Sequence, residues 1–140
     1  MAKAVKLFLC SLCIVAFASG CVSSSKYNFA SLIGYNMADL REAKDSGKIR
    51  TFSMSYDEAY EKVKAILAEN DLFAFRASKK HGYIVAVNFQ KQVNTTRVGI
   101  FFEKVSESET KITLSSLSSP TLEQAAGIIF SGLEAKDQAK

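Results

Sequence analysis

The hydrophobic period of the chain changes at Asn70-Asp71, and that change restricts the folds open to it. Upstream, Tyr56, Ala59, Tyr60, Val63, Ile66 and Leu67 recur at helical spacing and form one apolar stripe. Ser55, followed three positions later by Glu58, makes a capping box that satisfies exposed amides at the helix start, so a helix is expected over Tyr56 to Glu69. Glu58 and Lys62 add an exposed i,i+4 pair. Downstream the residues turn β-branched and aromatic, and the period falls to two. Leu72 to Ser78, Tyr83 to Phe89, Thr95 to Val105 and Thr110 to Leu117 read as strands joined by short polar turns, hence antiparallel. In the third strand Val98, Ile100 and Phe102 share the core face, which leaves Arg97, Gly99, Phe101 and Glu103 on the other, with Phe101 half exposed.

Flanking segments complete the pattern. Lys48 to Met54 alternates weakly and is expected as a strand, while Asn36 or Ser31 starts a short helix carrying Met37, Leu40 and Ala43, with Gly47 as its left-handed stop. Ser119-Pro120 opens a last helix, with Ser119 as cap and Pro120 at the first helical position. Its buried stripe is Leu122, Ala125, Ala126, Ile129, Phe130 and Leu133. Gly127 and Gly132 weaken it, so close packing against the sheet is expected at both. Lys136 to Lys140 should fray. The fold class is α+β: a two-layer sandwich with a twisted antiparallel sheet of four to five strands and two helices on one face.

The first 21 residues follow a different logic. Lys3 and Lys6 give a positive start, Leu7 to Ala18 an apolar run broken only by Ser11, and Ala18-Ser19-Gly20 lead into Cys21. This is the order of a secretory signal, and the run is short of the roughly 20 residues that a membrane span needs. The segment resembles a bacterial lipoprotein signal, with Ala18 where such signals most often carry Leu. The resemblance implies cleavage between Gly20 and Cys21, acylation of Cys21, and a lipid-anchored protein of the bacterial cell envelope. Val22, standing where an inner-membrane retention signal carries Asp, favours the outer membrane, facing the periplasm.

The expected organisation is therefore a signal peptide over 1–20, a lipidated cysteine and flexible tether over 21–30, one α+β domain over 31–135, and a tail over 136–140. Lys3 and Lys6 leave with the leader, and the remaining 16 Lys and Arg nearly balance 14 Asp and Glu. That near-neutral balance carries no electrostatic footprint for nucleic acid. Cys10 and Cys13 lie in the leader and Cys21 is the anchor, so the domain has no thiol for disulfides, catalysis or metal.

Candidate chemistry is sparse. Ser23-Ser24-Ser25-Lys26 has the S-x-x-K spacing of acyl-transfer enzymes without their other motifs, and reads as tether. Asn94-Thr95-Thr96 reads as a turn rather than a glycosylation acceptor. Asp57, Glu58 and Glu61 complement a helix start. His81 is the sole histidine, which rules out a two-histidine metal site or a histidine relay. Lys79-Lys80-His81-Gly82 is read as a hairpin tip, solvated or set against anionic headgroups. Phe73, Phe75 and Phe101 join Lys79, Lys80 and His81 as a candidate interaction surface, with the alternative that residues 30–48 fold across the apolar face and cover it.

No catalytic residue, metal or cofactor is assigned. The order of elements is similar to small domains of envelope lipoproteins, including BamC-like helix-grip modules, over about Ile49 to Leu133. The resemblance implies a protein-binding or scaffold role without catalysis. The expected function is thus a membrane-anchored interaction module whose partners are the membrane, through Cys21, and another envelope protein. A carrier of an apolar small molecule or lipid is the alternative, and an envelope hydrolase a more distant one.

Overall fold

The computed structural model describes residues 37–89 and 96–138, all within one compact unit. The elements, in chain order, are α1 (Ala38–Glu42), a 3₁₀ turn (Ala43–Ser46), β1 (Lys48–Phe52), α2 (Tyr56–Glu69), β2 (Phe73–Ser78), β3 (Tyr83–Val87), β4 (Val98–Lys104), β5 (Thr110–Ser115) and α3 (Ser119–Gln138). The strands form one five-stranded sheet in the order β1-β5-β4-β3-β2, and every pairing is antiparallel. Four strands therefore run as a meander, as their short connections require. β1 joins beyond β5, and α2 carries the chain to the opposite edge.

The main core lies between one face of the sheet and the helices α2 and α3. Ile84, Ile100, Ile112 and Leu114 from the strands meet Val63, Ile66, Ile129 and Leu133, all at most 1% exposed. The Ser55 hydroxyl accepts from the Glu58 amide at 3.3 Å, as the capping box predicts. The Glu58–Lys62 pair forms at 3.0 Å, yet it is half-buried rather than exposed, because Lys62 also donates to the Lys136 carbonyl.

Several expectations are corrected by close approach of the backbone. Gly47 has φ −77°, so it is not a left-handed stop. Glycine is needed there because a Cβ would stand 2.4 Å from the Leu114 carbonyl oxygen. Of the two glycines in α3, Gly132 packs against α2, where a Cβ would meet Ile66 at 3.0 Å, and not against the sheet. Gly127 has nothing within 4 Å of the place a Cβ would take. α3 starts one residue early, with the Ser118 carbonyl accepting from the Leu122 amide. It continues through Gln138, and Lys136 is held by Glu69 at 2.6 Å where fraying was expected. β3 stops at Val87, since Asn88 takes φ +78° and turns Phe89 into the main core.

The second face of the sheet carries a smaller core of its own. Leu40 in α1 packs with Tyr83, Val85 and Phe101, and Met37 joins at the edge. A five-residue helix is marginal in isolation. Here the Ser115 hydroxyl donates to the Leu40 carbonyl, and Arg97 reaches Asp39 at 3.5 Å, so tertiary contacts hold the turn in place. Phe101 is consequently 8% exposed, which corrects the expectation of a half-exposed ring. Of the two readings of residues 30–48, covering of the face is the one realised at Phe101, by the described part from Met37 onward. Asn36 and Ser31, offered as helix starts, lie outside the described residues.

Candidate functional site

One row of residues crosses all five strands on the second face. Ile49, Thr113, Phe101, Tyr83 and Ser78 stand opposite one another in register from β1 to β2. α1 and the 3₁₀ turn lie over the middle of this face. Beside them Arg41, Lys44, His81, Tyr83, Phe101 and Thr113 line a groove of about 410 Å³.

The β2–β3 turn brings His81 to that groove. Gly82 adopts φ +66°, and a Cβ there would stand 2.7 Å from the Phe102 carbonyl oxygen, so a side chain is excluded on both counts. The Gly82 amide closes the turn on the Lys79 carbonyl at 3.2 Å, and the Phe102 amide donates to the Gly82 carbonyl at 2.8 Å. The His81 Nδ1 lies 2.8 Å from the Ser78 hydroxyl, which fixes the ring. Across the groove the Lys44 ammonium sits 4.9 Å from the centre of the Phe101 ring, a favourable placement for a cation. Glu103 also lines the groove, and its carboxylate is held by Lys111 at 2.6 Å, which keeps its pKa below the usual carboxylate value.

The six residues expected to form one surface are dispersed. Lys79 is drawn to α2, where it reaches Asp57 at 2.9 Å and Glu61 at 3.5 Å, and lies 5.8 Å from the Tyr60 ring centre. The Asp57 hydrogen bond raises the Lys79 pKa, while burial raises those of Tyr56 and Tyr60 beside it. Lys79 is therefore held against α2 by ion pairs at the surface and not beside the groove. Lys80 is exposed at the turn. Phe73 and Phe75 stand on the edge strand β2, 72% and 49% exposed. Only His81 and the buried Phe101 come together, as walls of the groove. Cys21 and Gly20 lie outside the described residues.

Arg41, Lys44 and Thr113 were missed from the sequence. Lys44 follows Leu40 by four positions and follows Arg41 by three, both spacings of helical neighbours, so the one available signal was that Lys44 must border whatever Leu40 covers and that Arg41 stands beside Lys44. Among the described residues no group of three or more His, Cys, Asp or Glu side chains is placed to hold a metal ion, and no helix is long and apolar enough to cross a membrane. Comparison with protein-family models, with curated proteins and with solved structures finds no match to this chain.

Proposed function

We propose that the chain is a lipid-anchored protein of the bacterial cell envelope whose α+β body is a non-enzymatic interaction module. The observation that carries this reading is the leader: two lysines, an apolar run from Leu7 to Ala18, then Ala18-Ser19-Gly20 before Cys21. A run of that length suits export better than permanent spanning. Acyl chains on Cys21 contribute about 0.8 kcal/mol per buried methylene, and two or more chains anchor a protein stably. The likeness of the element order to BamC-like modules supports a binding role, as does the exposed Phe73 on an edge strand.

Mass spectrometry of the protein isolated from its native envelope tests the anchor. The expected amino terminus is Cys21 carrying a thioether-linked diacylglycerol. An unmodified terminus, or one starting at Met1, overturns the reading. Cys21→Ser is expected to abolish both processing and acylation.

A further inference from the structure

The geometry points to an anion-binding site in the groove on the second face of the sheet, built to take a phosphate group with a compact organic substituent. It does not rest on the lipid anchor, and it concerns residues that no reading of the leader touches.

Three groups with hydrogen-bond capacity to spare border this groove. Arg41 and Lys44 stand three positions apart in α1 and the 3₁₀ turn, and among the described residues neither has a carboxylate within 4.0 Å. Most other cations among the described residues do have one, namely Lys48, Arg50, Lys62, Lys64, Lys79, Arg97, Lys104, Lys111 and Lys136, whereas Lys80 at the turn has none either. His81 has Nδ1 engaged by Ser78, which leaves Nε2 as the ring nitrogen available to a ligand. The one carboxylate on the groove, Glu103, is paired with Lys111 and feels the Lys44 charge only as the weakest of the influences on it. A net positive groove results.

Shape and chemistry select the anion. A guanidinium presents a planar fork of donors and an ammonium a point charge, and together with an imidazole they suit the several acceptor oxygens of a phosphate. Tyr83 and Phe101 supply apolar ring surface, and Thr113 a hydroxyl, for the organic part of the ligand. The volume, about 410 Å³, admits a phosphorylated polyol or one phospholipid headgroup. A free phosphate ester and a headgroup share this chemistry, so the test separates them.

His81 is the only histidine, and its ring protons therefore give one unambiguous NMR signal. The full chain is held in neutral detergent micelles and titrated with glycerol 3-phosphate, and separately with inorganic phosphate, against chloride at matched ionic strength. The expected result is a displacement of the His81 signal at fixed pH that saturates with phosphate concentration and is absent with chloride. Arg41→Gln combined with Lys44→Gln should weaken the apparent affinity at least about tenfold, while Lys80→Gln at the same turn should not. If the double variant fails to fold, Arg41→Gln alone serves, since that side chain is exposed.

In the second arm, bicelles of phosphatidylcholine are compared with bicelles containing phosphatidylglycerol. A response to soluble phosphate assigns the groove to free phosphate esters. A response confined to phosphatidylglycerol assigns it to headgroups. No saturable response in either arm, or an equal response from the Arg41/Lys44 double variant, overturns the proposal.

Discussion

The hydroxyl of Ser115 donates to the main-chain carbonyl of Leu40, 2.6 Å away, and this bond fastens α1 over the second face of the sheet. Both residues are buried, Ser115 at 0% and Leu40 at 1% exposure. Ser115→Ala leaves the carbonyl without its partner and should cost about 1–3 kcal/mol, read as a lowered urea midpoint at unchanged slope. An equal midpoint would mean that α1 does not depend on this bond.

Phe101 and Phe73 make a matched pair for testing where the second core ends. Phe101→Ala removes a ring buried under Leu40 and should destabilise by about 3–5 kcal/mol. Phe73→Ser, at a position 72% exposed, should change stability by less than about 0.5 kcal/mol. Similar losses from the two substitutions would contradict the described covering of the face.

The two glycines of α3 should respond in opposite directions to the same substitution. Gly127→Ala gains up to about 1 kcal/mol of helix propensity with no clash to offset it. Gly132→Ala brings a methyl group to 3.0 Å from the Ile66 side chain, which must give way although it is only 1% exposed in the packed core, so the melting temperature should fall. Differential scanning calorimetry of both variants reads the contrast.

Three groups at the start of α2 and the β2–β3 turn predict weakness to base. Burial lifts Tyr56 and Tyr60 above 10.0, and the hydrogen bond to Asp57 lifts Lys79 above 10.5. The tyrosines are favoured neutral and the lysine charged in the folded state. All three contributions are therefore complete below those unfolded values and are lost as pH rises through the folded ones. Denaturant midpoints should fall on the alkaline side, and Tyr60→Phe should flatten that fall. Glu103 acts with the opposite sign: held low by Lys111, it stabilises above 4.5 and loses that contribution as pH falls.

Local signals carried most of this architecture. Ser55 and Glu58 mark the start of α2 within four residues, and the period-two runs after Asn70 placed every strand of the meander. What they could not give was the second face. The short helix carrying Leu40 was expected, yet its place over Phe101 was not, because the burial of Phe101 depends on Leu40, a residue remote in the chain. Strand ends went wrong where one backbone angle decides, as at Asn88. Gly127 and Gly132 look alike in the sequence, because only the position of Ile66 distinguishes them. For the candidate site, His81 stood out by its chemistry. Arg41 and Lys44 did not, because the rings that make a groove of their surroundings come from β3 and β4.

Gly99 sits directly under the Phe101 ring, and a Cβ there would lie 2.7 Å from it. Its neighbours across the sheet are Val85 and Ser115, buried like itself. In a strand wetted on one side, polarity alone forbids sliding by one residue. β4 is apolar on both sides from Val98 to Phe102, so water offers no such penalty. The ring leans back over the bare position of its own strand, a fit that travels with β4, so alignment falls to the partner strand: Ser115, set opposite Gly99, is where a β5 hydroxyl reaches the Leu40 carbonyl.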